Sequence, residues 1–124
     1  MSDKLDLIFE EQQKLSSQWM PIENANGFPV SAVVDLTTPQ GQMVVKAYAW
    51  FITEELGEAM NELKNRPWKM IQRPVNIEHF KEELIDALHF FVELLEHCGM
   101  SADEVFEMYM KKAATNQERI NKGV

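Results

Sequence analysis

Two groups of acidic residues at helical spacing constrain this chain more than any other feature. Glu54-Glu55-Leu-Gly-Glu58 and Glu83-Leu-Ile-Asp86 each lie inside a segment whose apolar residues recur every three or four positions. Side chains at that spacing share one face of a helix. Like charges stacked there repel, so a helix carries them at a cost unless a cation offsets it. Large apolar residues flank both groups: Trp50, Phe51 and Ile52 before the first, and Leu88, Phe90 and Phe91 after the second. A short, proline-bearing link joins the two segments. Antiparallel packing of the two helices would bring both groups to one level. Hard oxygen ligands from two facing helices suit Mg²⁺, with Mn²⁺ as substitute, and such sites accompany polyphosphate substrates. Taken singly, an E-x-x-E pattern more often marks a solvated helix face.

A chain of 124 residues with 45% hydrophobic content is one globular domain, spanning 1–124. Its net charge of −8 argues against a nucleic-acid duplex or an anionic membrane as partner. A nucleotide stays compatible with that charge if a metal bridges the anions. Cys98 is the single cysteine, which rules out an internal disulfide and fits a reducing cytoplasm. The sequence starts without the basic and apolar regions of a signal peptide, and no apolar run reaches membrane-spanning length.

Four helices are expected. Leu5, Ile8, Gln12, Leu15 and Trp19 mark the first, over about 3–18, with Ser2 as N-cap and Pro21 as terminator. Residues 20–41 hold Pro21, Asn26-Gly27, Pro29, Pro39 and Gly41, a long loop in which 30–34 could run extended. The second helix spans about 42–64, with Val45, Tyr48, Ile52, Leu56, Ala59 and Leu63 as apolar stripe. The third follows an Asn76 cap and runs to Cys98, with Phe80, Leu84, Leu88, Phe91 and Leu95 facing the core. Gly99 suits a left-handed C′ position. Ser101-Ala-Asp-Glu104 is a capping box opening a fourth helix to about Asn121. The fold class is all-α, a four-helix bundle.

Glu55, Glu58, Glu83 and Asp86 together bring a formal charge of −4, which close range does not tolerate without cations. Glu54, four residues before Glu58, can approach as a further ligand or orient a water. Lys112 and Arg119, seven apart, share a helix face with Asn116 between them. Two cations near a helix C-terminus are favoured by its dipole without any ligand, and taken alone that explanation is the stronger. His89 reads as a satisfied core histidine before it reads as a ligand. Trp50 and Trp68 read as core or oligomer contacts, and Asn61 as a solvated residue.

In order and spacing these segments resemble the all-α NTP pyrophosphatases of the MazG superfamily, and within it the dimeric dUTPase and phage dCTPase-dUTPase branch. Glu54-Glu55-x-x-Glu58, 24 intervening residues and Glu83-x-x-Asp86 resemble the superfamily signature. Glu58-Ala-Met-Asn61-Glu62 resembles that branch's E-L-x-N-E, and Ile85-Asp86-Ala-Leu-His89-Phe90 its V-D-x-x-H-F. Residues 109–123, with Lys112, Asn116 and Arg119, resemble its closing K-N-x-x-N-x-x-R-Q-x-x-G-Y. Gln12-Gln13-Lys14-Leu15 resembles its Gln-bearing first helix. Trp68-Lys69 stands at its F-W-S segment. Ala113, Ile120 and Val124 depart from the closing motif.

The resemblance implies a bundle of the all-α NTP pyrophosphatase type with Glu55, Glu58, Glu83 and Asp86 as metal ligands. Glu54 or Glu55 would serve as base, and Lys112 and Arg119 would hold phosphates. Asn116, Asn61 and Gln12 would read the base. The expected activity is Mg²⁺-dependent hydrolysis of a nucleoside triphosphate, with dUTP as first substrate and dCTP or a purine dNTP as alternatives, in a cytoplasmic homodimer or higher homo-oligomer. A helical oligomerisation protein without catalysis is the alternative from another class. A ferritin-like di-iron bundle ranks last, since it wants two Glu-x-x-His motifs and the chain has a single Asp86-x-x-His89.

Overall fold

The computed structural model describes residues 2–123. Its helices are α1 (Lys4–Ala25), α2 (Pro39–Met60), α3 (Ile77–His97) and α4 (Ala102–Asn121), with no strand among the described residues. The architecture is the all-α, four-helix one expected. Among the described residues no helix is long and apolar enough to cross a membrane.

The helix starts follow side-chain chemistry. Asp3, rather than Ser2, caps α1, accepting from the Asp6 N–H at 2.9 Å while Asp6 accepts from the Asp3 N–H. The two carboxylates each satisfy one backbone donor, a reciprocal capping box that a serine one residue earlier does not form. Thr38 caps α2 and Pro39 occupies its first turn, where a missing N–H costs nothing. Asn76 and Ser101 cap α3 and α4 as expected, Ser101 accepting from the Glu104 N–H without the reciprocal bond of the full capping box.

Three boundaries differ from expectation: α2 opens at Pro39 rather than near 42, and two helix ends move. Pro21 does not end α1; the helix passes through it to Ala25. A proline inside a helix removes one hydrogen bond and costs about 3 kcal/mol, so tertiary contacts must hold the last turn. Glu23 supplies one by accepting from the buried Tyr48 hydroxyl at 2.8 Å. The end is then a Schellman motif, with Gly27 at φ 85° and the Phe28 N–H on the Glu23 carbonyl at 2.9 Å. Helix α2 stops at Met60 rather than Lys64, and tight turns at Glu62 and Leu63 swing the chain away.

Helices α2 and α3 run antiparallel in one register. Glu62 meets His79, Phe51 meets Phe90 with ring centroids 5.6 Å apart, and Tyr48 meets Glu93. Helix α1 packs on α3, and α4 packs on α1 but not on α2. The loop 26–38 has no strand, yet it is not loose. Val30 and Val34 insert between Val44 and Tyr48, and the Val34 N–H donates to the His97 carbonyl at 2.8 Å. Gly41 lies so close to this loop that a Cβ there would sit 1.8 Å from the Asp35 carbonyl oxygen.

The expected core stripe of α3 is corrected. Leu84, Leu88 and Phe91 are exposed, and Ala87, Val92, Glu93 and His97 are buried instead. Trp19, Leu56 and Leu63 are likewise exposed. The helix is apolar on more than one face, and a single chain covers just one of them.

Candidate active site

The α2–α3 register stacks the two acidic groups at one level. Glu55, Glu58 and Glu83 each present a carboxylate oxygen within 4.8 Å of the others. Three negative charges that close raise one another's proton affinity. Burial first, then the Glu58 charge, pushes the Glu55 carboxyl up to about 7. Burial and Glu58 push Glu83 upward as well. The Glu83 side chain is 12% exposed, and its Oε2 is buried without a hydrogen-bond partner. An orphaned buried oxygen beside two further hard oxygens is a donor set that fits Mg²⁺ or Mn²⁺. Asp86 stands outside the tight trio, but its charge still acts on Glu55. Glu54 is exposed on α2 and takes no part in the cluster.

His79 extends the cluster. Its Nε2 lies 3.1 Å from Glu83 and its Nδ1 contacts Glu62. The bond to Glu62 leads the causes that raise its pKa. The sequence offered a signal for this residue, since His79 stands four before Glu83 on one helix face.

A cavity of about 380 Å³ opens beside the cluster, lined by Trp19, Glu55, Asp86, His89, Phe90 and Glu93 with Leu15. Its back wall is a buried polar network. Gln12, 2% exposed, directs Nε2 toward Ser16 Oγ at 3.4 Å and Glu93 Oε2 at 3.5 Å. That leaves its Oε1 to accept from His89 Nδ1 at 2.9 Å. With the proton on Nδ1, the neutral imidazole of His89 presents Nε2 as an acceptor. The Tyr48 hydroxyl lies 3.0 Å from Glu93, and burial raises its pKa strongly. His97 donates from Nδ1 to the Ser31 carbonyl at 2.8 Å and faces Glu93 with Nε2 at 3.4 Å. Bonds to Glu93 and to the loop carbonyls raise the His97 pKa despite its burial.

The candidate base readers are dispersed. Gln12 is an interior group that orients His89. Asn61 is exposed at the C-cap of α2, just past Glu58. Lys112, Asn116 and Arg119 lie exposed along α4, which one chain does not pack on α2. His89 and Glu93 line the cavity; the core placement expected for His89 is corrected, since it is exposed with its Nδ1 satisfied by Gln12, and Glu93 is the buried one.

Comparison with known proteins agrees with this architecture. A family described as dUTPase matches residues 4–95, that is α1 through most of α3, stopping before α4. A dCTP pyrophosphatase of Enterobacteria phage LZ5 is 46% identical over 43 residues, covering 35% of this chain and 25% of that protein. The chain thus spans about a quarter of that relative's length. No solved structure matches. With the matched segment carrying the whole carboxylate cluster on paired helices, the chain belongs to the all-α, MazG-like dUTPase family.

Proposed function

We propose that this protein is a Mg²⁺-dependent nucleoside triphosphate pyrophosphohydrolase that acts on dUTP, releasing dUMP and pyrophosphate. The observation that carries it is the trio Glu55, Glu58 and Glu83, oxygens within 4.8 Å, next to a cavity with an aromatic wall. Asp86 completes the metal set. Mg²⁺, when bound, neutralises phosphate charge and makes a nearby water more acidic. Glu54 or Glu55 takes the water's proton. The water oxygen bonds to the α-phosphorus, and the bond to the α–β bridging oxygen breaks. Its electron pair leaves with pyrophosphate. Trp19 and Phe90 give the base an apolar surface, and the His89 acceptor suits a hydroxyl or ring N–H of the nucleoside.

Lys112 and Arg119 hold phosphates and Asn116 reads the base from α4. Since α4 does not pack on α2, these groups fit a site completed by the second copy of a homodimer. Exposed Leu84, Leu88, Phe91 and Phe106 supply apolar surface for that pairing. A reducing cytoplasm suits the lone Cys98. A dCTP preference is favoured by one specific observation, the similarity to a dCTP pyrophosphatase. Steady-state hydrolysis of dUTP, dCTP, dTTP, dATP and dGTP tests the assignment. Highest kcat/KM on dUTP supports it, and highest on dCTP favours the alternative. Preference for a purine triphosphate refutes both pyrimidine assignments.

A further inference from the structure

The connection between α2 and α3 is basic within an acidic chain. Residues 61–76 carry Lys64, Arg66, Lys69 and Arg73, four of the 12 Lys and Arg, against Glu62 alone. Side chains hold its shape. Asn65 donates to the Arg73 carbonyl and accepts from the Arg73 N–H, both at 2.8 Å. Gln72 Nε2 donates to the Arg66 and Lys69 carbonyls, also at 2.8 Å. The backbone thereby frames a cavity of about 610 Å³, lined by Lys64, Asn65, Lys69, Met70, Ile71 and Arg73. Among the described residues, none of Lys64, Lys69 and Arg73 forms an ion pair. Three unpaired cations around one concavity repel unless an anion sits between them.

The connection follows the carboxylate cluster along the α2–α3 pair. Glu83 contacts His79, and His79 contacts Glu62, the residue after the α2 C-cap. Ile77, where the connection ends, is six residues from Glu83, about 9 Å along the helix. An extended polyanion held at the carboxylates through a dication can therefore run on toward the connection that frames this cavity.

We propose that the 61–76 connection is a polyphosphate site, in which Lys64, Lys69 and Arg73 take the terminal phosphates of the substrate and retain the pyrophosphate product. The proposal rests on the pyrophosphohydrolase assignment and deepens it. Arg73 forks onto phosphate oxygens and the lysines act as point charges. Cations at the leaving end also offset the charge that develops there.

Calorimetric titration with inorganic pyrophosphate in EDTA tests the site without any divalent ion. The wild-type protein is expected to bind, and Lys69→Ala and Arg73→Ala to weaken binding by roughly ten-fold each. Lys69→Arg should retain it, and Glu58→Gln should leave it unchanged or tighter. An affinity for pyrophosphate unmoved in both alanine variants, with their helical circular dichroism intact, overturns the proposal. Tighter binding of a single-stranded oligothymidylate than of pyrophosphate overturns it too, by pointing to nucleic acid as the source of phosphate. Pyrophosphate bound through these cations, with no hydrolysis of any triphosphate, leaves the site standing and sinks the enzymatic assignment.

Discussion

Glu96→Gln should stabilise the protein at alkaline pH and do little at acid pH. Both carboxylate oxygens of Glu96 are buried with no hydrogen-bond partner. They border a cavity of about 220 Å³ shared with Ser16, Met20 and Val33. Burial pushes the carboxyl up to about 7, the neighbouring His97 opposes that, and Glu93 adds to it. A group bound to its proton more tightly when folded favours folding fully below its unfolded pKa. That advantage fades as pH rises from about 4.5 to about 7, and above that the charged form must be buried. The interval corresponds to about 3 kcal/mol at 1.36 kcal/mol per tenfold change in proton affinity. Solvent screening at this part-buried position reduces it to roughly 1–2 kcal/mol. Glutamine has no charge to bury, so the variant should gain that amount relative to wild type between pH 4.5 and pH 8. Urea unfolding at both pH values measures it. A gain equal at the two values, or larger at pH 4.5, refutes the placement of Glu96 among groups that do not solvate its charge.

Gly41→Ala should cost roughly 2 kcal/mol or more, because the new Cβ would overlap the Asp35 carbonyl; thermal melting decides, and a change under 0.5 kcal/mol contradicts that contact. Tyr48→Phe should destabilise by about 1–2 kcal/mol through the loss of a hydroxyl shared by Glu23 and Glu93, measured by denaturant unfolding, and a neutral effect counts against the network. Asn116→Ala should blunt discrimination among dNTPs by about 1–3 kcal/mol, while Arg119→Ala should weaken all triphosphates alike; kcat/KM over the five dNTPs separates the two.

The helix starts were legible where one side chain settles the matter. Asn76 and Ser101 cap as read, and Gly99 takes φ 81° after α3. The acidic register was legible as well, since antiparallel pairing of two helical carboxylate groups leaves few alternatives. Pro21 misled because local rules end a helix there, while Glu23 is held from across the fold by Tyr48. The stripe on α3 misled for a related reason. Leu84, Leu88 and Phe91 are as apolar as a core requires, yet periodicity does not say which of two apolar faces a single chain covers. The polar interior was the least legible part. Glu93 and His97 carry polar side chains that periodicity does not place inside, and with Gln12 they are buried because they satisfy one another.

The central claim is that the α2–α3 carboxylates hold Mg²⁺ for pyrophosphohydrolysis. Pyrophosphate release from dUTP, followed for wild type, Glu58→Gln and Asp86→Asn at saturating Mg²⁺ and in EDTA, tests it most directly. Removing one ligand from a shared cluster unbalances the whole site. Wild type should release pyrophosphate with Mg²⁺ and not in EDTA, and both variants should be inactive with helical content preserved. Near-wild-type release by either variant, or undiminished release by wild type in EDTA, contradicts the account.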